Sequence, residues 1–259
     1  MGFQLQWIGR PSTPYGFMTA IKNVLVSAGW SVVYDDGSSR IVVRTASYLG
    51  TNGPVIDFTV NSTHVEIQGH HDWNTTNNQP ITPSTPKRRM RYGHQTSEYY
   101  WVYANEYWFM TINADSLANW GSSQGREVGG VVLPPQGITT PPPYHPVFIY
   151  GNYDTAGTGE SNGIQYLAYT GGVNYNCPWF IHPQTGGSVR TNFIENLGNY
   201  SGIPSQPATV FPPFVNGGFG ELPYALISAS SGAPFSFTGG NEKYVSVFWY
   251  YAGIYARVS

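Results

Sequence analysis

Apolar residues recur at three- and four-residue spacing near the N-terminus, and this spacing predicts one helix. Thr13 is a suitable N-cap, Pro14 suits the first helical position, and Gly29 favours a helix end. We therefore predict a helix over Pro14–Ala28 whose apolar stripe packs on the strands that follow. The stripe consists of Met18, Ile21, Leu25 and Ala28, which share one helical face.

Alternation between apolar and polar positions follows the helix and predicts strands. In Val55–Val60, every second residue from Ile56 onward is apolar, so one apolar and one polar face are expected. Asp35–Ser39, Asn61–Thr63 and Ala104–Tyr107 have the composition of hairpin turns. Further strands are predicted at Trp30–Tyr34, Ile41–Thr45, His64–Gln68, Tyr99–Tyr103, Trp108–Asn113, Val128–Leu133, Val147–Tyr150, Gln165–Tyr169, Trp179–His182, Val189–Phe193, Tyr224–Ser228 and Tyr244–Arg257.

Composition supports the same fold class. The 259 residues are 16% aromatic and include 31 Gly and 20 Pro, a combination that favours strands and turns over helices. We predict one mainly β domain over residues 1–259, an antiparallel β-sandwich-like fold with one N-terminal helix packed on the sheet and long Gly/Pro-rich loops. Asn74–Arg91 is predicted to be a long exposed loop. Pro134–Pro146 is too rich in proline for regular structure and is the candidate internal boundary.

Charge and cysteine content narrow the function classes. Only 10% of residues are charged and the formal net charge is −2, so no general attraction to nucleic acid or to a membrane surface is expected. Cys177 is the single cysteine, which excludes an intrachain disulfide and fits synthesis in a cytosol. We expect neither a signal peptide nor a membrane-spanning helix.

His70, His71 and Asp72 are the residue types of a metal site. Neighbouring residues on a strand, however, point to opposite faces, so the two imidazoles are poorly placed to share one ion. We interpret them as structural hydrogen-bonding residues and predict no metal and no cofactor, with a metal site as the alternative.

A basic segment contains Lys87, Arg88, Arg89 and Arg91, four of the twelve Lys and Arg residues. We predict that it is a partner-contact loop facing acidic groups of a neighbouring protein. Nucleic-acid binding is the alternative, but no wider basic stripe surrounds the segment.

Catalytic motifs typical of hydrolases, nucleotide-binding enzymes and zinc enzymes are absent from the sequence. Asp115, Glu127, Asp154 and Glu160 could form a glycosidase pair, but nothing in the sequence brings two of them together. Cys177 is interpreted as a packed thiol. We therefore predict no catalytic residues and no enzymatic activity. Abundant aromatic residues leave carbohydrate binding as an alternative.

Several short motifs together resemble one group of proteins. They are Ala28–Trp30 at the helix end, the aromatic run Glu98–Asn105 leading into Tyr107–Ile112, then Val128–Val132, and Tyr144–Gly151 after the proline stretch. The chain resembles uncharacterised virion structural proteins of tailed bacteriophages over about residues 15–155.

The resemblance implies a non-enzymatic structural subunit of a tail, baseplate or neck/collar, located in the virion after assembly in the bacterial cytoplasm. Its expected partners are other virion proteins and further copies of itself. The alternative is a carbohydrate-binding decoration or receptor-binding module that contacts host glycan. Low charge and many aromatic residues suit surfaces that become buried on assembly.

Overall fold

The computed structural model describes residues 2–9, 11–61, 64–90, 99–114, 124–134, 138–150, 179–190, 206–210, 220–228, 236–239, 241–248 and 253–259. The elements in chain order are β1 Gln4–Gly9, α1 Pro14–Ser27, β2 Ser31–Asp35, β3 Arg40–Arg44, β4 Val55–Asn61, β5 His64–Asn74, β6 Gln79–Ser84, β7 Arg88–Met90, β8 Tyr99–Ala104, β9 Trp108–Ala114, β10 Gln124–Val131, β11 Val147–Tyr150, β12 Trp179–Ile181, β13 Ser188–Arg190, β14 Gln206–Val210, β15 Gly220–Ser228, β16 Ser236–Gly239, β17 Glu242–Phe248 and β18 Gly253–Arg257.

The helix begins at Pro14, as predicted, and ends at Ser27, one residue before the predicted end, with Ala28 as its C-cap. The Thr13 hydroxyl accepts a hydrogen bond from the Gly16 amide at 3.0 Å, which satisfies one free N–H of the first turn. Gly29 follows the helix with φ of 105°, a conformation that costs glycine little. Met18, Ile21 and Leu25 are buried as predicted.

The strands of the described residues form three antiparallel sheets, which lie in three layers. The N-terminal sheet has the order β2-β3-β4-β5-β6, with β7 also paired to β5. The central sheet has the order β1-β8-β9-β10-β11-β12-β13, and the C-terminal sheet has the order β14-β15-β18-β17-β16. The central sheet is buried on both faces, because separate hydrophobic cores lie on its two sides.

Strict alternation along the central strands divides residues between these cores. Val102 and Phe109 pack with the helix and the N-terminal sheet. Tyr103, Trp108 and Phe148 pack instead with the C-terminal sheet, which contributes Leu222, Ala225 and Ala256. Period-two side-chain alternation is what allows one sheet to supply two cores.

The predicted fold class is confirmed: the protein is mainly β, with antiparallel sheets on which an N-terminal helix packs, the one helix among the described residues. No helix in the described part of the chain is long and apolar enough to cross a membrane. Residues 134 and 138–146 of the proline-rich segment lie outside helices and strands. The strand predicted at Gln165–Tyr169 lies outside the described residues.

The prediction of a long exposed loop over Asn74–Arg91 is wrong. β5 extends to Asn74, β6 pairs with its C-terminal half, and β7 pairs with its N-terminal half. A break at residues 85–87 lets these two short strands share one neighbour. The strands β1, β14 and β16 were also not predicted, because their sequences lack long runs of β-branched residues.

Candidate functional site

His70 lies on the face of the N-terminal sheet that points away from the helix. Its Nδ1 is 2.6 Å from the Ser84 hydroxyl on β6, and its Nε2 is 3.5 Å from Oδ2 of Asp57 on β4. The imidazole is almost completely buried. Cross-strand pairing places these residues side by side, because His70 is registered with Ser84 and with Val55.

Arg40 on β3 completes this cluster. Its Nε and Nη2 donate to the two oxygens of Asp57, at 3.1 and 2.6 Å, a two-point geometry that suits a carboxylate. Burial opposes ionisation of Asp57, but His70 and Arg40 outweigh that cost and hold the pKa of the carboxyl below its usual value. The hydrogen bonding between Arg40 and Asp57 also raises the pKa of Arg40.

The series Ser84, His70, Asp57 has the residue types of a serine hydrolase triad. In such a triad, the carboxylate stabilises the imidazolium that forms when serine loses its proton. Here Asp57 is neutralised by the Arg40 guanidinium, and its 3.5 Å separation from His70 is longer than an ordinary hydrogen bond. We therefore interpret the cluster as a structural network rather than a nucleophile with its base.

Apolar and aromatic side chains cover the network. Trp73 packs with Val42 and Val55, and the Arg40 guanidinium lies 4.8 Å from the centre of its ring. His70 and Trp73 contact each other although they are three residues apart on one strand. A register shift between His70 and Asp72 accounts for this, because a bulge reverses the alternation of faces.

His71 lies apart from this network, as predicted for a neighbour of His70 on one strand. The His145 amide donates to His71 Nδ1 at 3.0 Å, and His145 Nδ1 is 2.7 Å from the His71 carbonyl oxygen. The two rings are 4.7 Å apart. Burial lowers the pKa of both imidazoles. Within the described ranges, no group of three or more His, Cys, Asp and Glu is placed to hold a metal ion.

The structure places part of the predicted partner-contact loop on strand β7. Arg88 is only 5% exposed and lies in β7, opposite Ile67. Arg89 is half-buried opposite Glu66, whereas Lys87 is exposed and lies 3.3 Å from a Glu66 oxygen. Arg91 lies outside the described residues. Lys87 and Arg89 therefore remain candidate contact residues, with Arg89 on strand β7 and Lys87 directly before it.

Glu127 is the described member of the four carboxylates considered as glycosidase candidates. It is fully buried in the central sheet and accepts a short hydrogen bond from the Thr111 hydroxyl. Asp115, Asp154 and Glu160 lie outside the described residues, as does Cys177. The Thr111 contact gives Glu127 a role in joining β9 to β10.

The β8–β9 turn contains a second buried polar network. The buried side chain of Asn105 accepts hydrogen bonds from the amides of Tyr107 and Trp108, at 2.9 and 3.0 Å. Its amide group donates to the Tyr103 hydroxyl at 3.1 Å. One asparagine therefore fixes the turn and connects it to the neighbouring strand.

The same turn joins elements that are distant in sequence. The Trp30 indole donates to the Asn105 carbonyl at 2.6 Å, and the Ala46 amide donates to the Glu106 carbonyl at 2.9 Å. On the other side, the Tyr103 hydroxyl donates to the Arg257 carbonyl at 3.0 Å. The Trp108 indole also donates to the carbonyl of Pro223, at 2.7 Å. The turn thereby joins the helix end and the C-terminal sheet.

Two of these sites were not predicted as sites, although each left a signal. Asp57 lies between Ile56 and Phe58 in β4, and a carboxylate that is buried in a strand needs a partner. Asn105 is part of the aromatic motif, but only the structure gives its side chain a role. No protein-family model matches the chain, and no curated protein matches it.

Proposed function

We propose that the protein is a non-enzymatic structural subunit of a tailed-bacteriophage virion that acts by assembling with other virion proteins and with copies of itself. The tail, the baseplate and the neck or collar are its proposed locations, after assembly in the bacterial cytoplasm. The resemblance of the short sequence motifs to virion structural proteins supports this class of protein. The contacts made by those same residues support a structural role.

The observation that carries the proposal is the position of the motif residues in the framework. Val102, Phe109 and Val147 belong to one core, whereas Tyr103 and Trp108 belong to the other. The Asn105 turn between them connects the helix end to the C-terminal sheet. These residues maintain the relation between layers, which is what a subunit of a rigid assembly requires.

The polar networks support the same interpretation. His70 contacts both Ser84 and Asp57, and Arg40 neutralises the carboxylate. Such pairing stabilises a sheet face and leaves little reactivity for chemistry on a substrate. A framework function accounts for this arrangement with fewer assumptions than hydrolysis does.

Aromatic residues in the described part of the chain favour assembly over sugar binding. Trp30, Trp73 and Trp108 are buried. Trp7, Trp101 and Trp179 are half-buried. Sugar stacking needs an accessible aromatic face, so the alternative of a carbohydrate-binding decoration or receptor-binding module receives less support from these positions.

Purified virions provide the direct test of location. Quantitative mass spectrometry should find the protein in a fixed ratio to the major capsid protein, and electron microscopy of a labelled protein should place the label on the tail, baseplate or collar. Binding of free protein to host glycans, with label at fibre tips only, would favour the alternative. Absence from virions, together with a monomeric free protein at high concentration, would overturn the proposal.

Lys87 and Arg89 allow a test of the proposed contact. Replacing both by Ser should spare the fold, because neither side chain is fully buried, and should lower incorporation into particles severalfold if acidic neighbours face this strand. Lys243→Ser is a matched control at an exposed lysine on β17. Equal incorporation of the double variant and the control would remove β7 from the interface. Arg88 is left unchanged because it is buried.

A further inference from the structure

The His71–His145 pair joins two parts of the chain that are 74 residues apart. His71 belongs to β5 in the N-terminal sheet, and His145 lies in the 138–146 segment, which enters β11 of the central sheet. Aromatic rings pack on the pair from both sides: Tyr144 is 5.5 Å from His71, and Tyr48 is 5.2 Å from His145. The pair therefore fixes the entry of β11 to the neighbouring sheet.

The hydrogen bond at His71 requires a neutral imidazole. Nδ1 of His71 accepts the His145 amide proton at 3.0 Å, so Nδ1 carries no hydrogen and the ring proton sits on Nε2. A second proton would have to bind at Nδ1, where it would face the amide N–H. Protonation of His71 therefore removes this hydrogen bond and places two donors against each other.

His145 differs from His71 in tolerating a proton. Its Nδ1 faces the His71 carbonyl oxygen at 2.7 Å and so must donate. Its Nε2 is 3.2 Å from the Thr51 hydroxyl, which can itself donate to the Tyr48 carbonyl at 2.7 Å. A protonated His145 can then donate to the Thr51 oxygen. His71 is consequently the member of the pair whose hydrogen bond cannot survive protonation.

The surrounding charges are few and partly cancel. Asp72 favours a proton on either ring but pairs with Arg44 at 2.7 Å. Arg44 and the neighbouring imidazole disfavour a proton on His145. Burial raises the pKa of Tyr48, so this phenol is uncharged near neutrality. Desolvation is the largest influence on both histidines, and it favours their neutral forms.

We infer that the His71–His145 pair is an acid-sensitive junction, in which protonation of His71 releases the 138–146 segment from strand β5. The inference goes beyond the proposed function and does not depend on it. Strand β11 lies between β10 and β12 in the central sheet. Release of the 138–146 segment, which leads into β11, would therefore affect the interior of this sheet rather than a chain end.

The sign of the pH dependence follows from linkage. An unfolded histidine has a pKa of about 6.5, and both imidazoles have lower pKa values in the folded protein. The folded state thus binds fewer protons than the unfolded state in the interval between these values. Stability is fully present above about pH 6.5 and is lost as the pH falls through that interval toward the folded pKa values.

Hydrogen exchange of the full chain at pH 7 and pH 5, corrected for intrinsic rates, tests the inference. Exchange at the His145 amide should rise on acidification, by up to about tenfold per pH unit, the limit for uptake of one proton. In the His71→Asn variant, the Asn oxygen can accept the same amide proton without titrating, so the part of the rise that depends on His71 should disappear and only the smaller rise due to His145 should remain. The control His64→Asn removes another imidazole from β5 and should behave like the wild type.

Two results would overturn the inference. One is an equal acid-induced rise in the wild type and in a folded His71→Asn variant. The other comes from NMR titration of the wild type, which decides the question even if that variant does not fold. In that titration, a His71 pKa at or above about 6.5, together with a His145 amide shift that stays constant, would overturn the inference. A lowered His71 pKa with a coupled change at the His145 amide would support the junction.

Discussion

The two faces of the N-terminal sheet both contain buried residues but are stabilised in different ways. Toward the helix, Ile41, Val43 and Phe58 form an apolar core with the helix stripe. On the opposite face, Asp57 is also buried, at 4% exposure, but beside Arg40. Alternation in β4 thus separates apolar from polar residues without separating buried from exposed ones.

The comparison shows how a sheet can bury a charged face. The apolar face gains free energy in proportion to the area removed from water. The polar face must first recover the cost of desolvating Asp57, through the Arg40 hydrogen bonds. Truncating a buried side chain of the apolar face should therefore destabilise the fold. On the polar face, replacing both Arg40 and Asp57 should cost less stability than the two single replacements together.

The largest expected effect is on the apolar face. Leu25→Ala should lower the free energy of unfolding by about 2–5 kcal/mol, because it removes a fully buried side chain and leaves a cavity. Chemical denaturation gives this value. Val26→Ala on the same helix is the matched control, since Val26 is exposed, and it should change stability by less than about 0.5 kcal/mol. Similar values for the two variants would show that the stripe does not carry the packing.

The polar face should respond less, and non-additively. Asp57→Leu should cost about 1–3 kcal/mol by leaving the half-exposed Arg40 guanidinium without its carboxylate. Arg40→Met should also destabilise, because it strands a buried charge. The double variant should cost less than the sum of the two single variants, as measured in a double-mutant cycle. An additive result would mean that the two charges do not stabilise each other.

The local elements of this sheet could be predicted from sequence because their signals are local. Thr13, the helix stripe and Gly29 mark the helix within a few residues, and Asp36 fixes the β2–β3 turn by accepting from the amides of Ser38 and Ser39. The aromatic runs on either side of the Ala104–Tyr107 turn likewise predicted both strands of the hairpin β8–β9. In each case the residues that determine the element lie inside it.

The missing parts depend on distant partners. β1 pairs with β8 about a hundred residues later, and His71 meets His145 across 74 residues. The basic residues of β7 argue against a buried strand at this point of the sequence. Arg88 is nevertheless buried, because β7 pairs with β5. Of the candidate sites, the separation of His70 from His71 was predictable from strand geometry. The Arg40–Asp57 pair required the register of β3 and β4.

The smallest expected effect concerns an ion pair at the rim of the apolar face. Lys22 on the helix lies 2.8 Å from Asp35 of β2, and both side chains are partly exposed, at 18% and 23%. Asp35 also accepts hydrogen bonds from the Tyr15 hydroxyl and the Gly37 amide, so it keeps partners when the lysine is lost. Lys22→Met should therefore lower stability by less than about 1 kcal/mol at low salt.

Salt dependence separates this rim pair from packing. Denaturation of the wild type and Lys22→Met in low salt and in about 1 M salt, where the Debye length is about 3 Å, should reduce the difference between them toward zero. The Leu25→Ala deficit should persist under both conditions, because it arises from a cavity rather than from charge. A Lys22→Met cost as large as that of Leu25→Ala, unchanged by salt, would mean that charge rather than apolar packing holds the helix on the sheet.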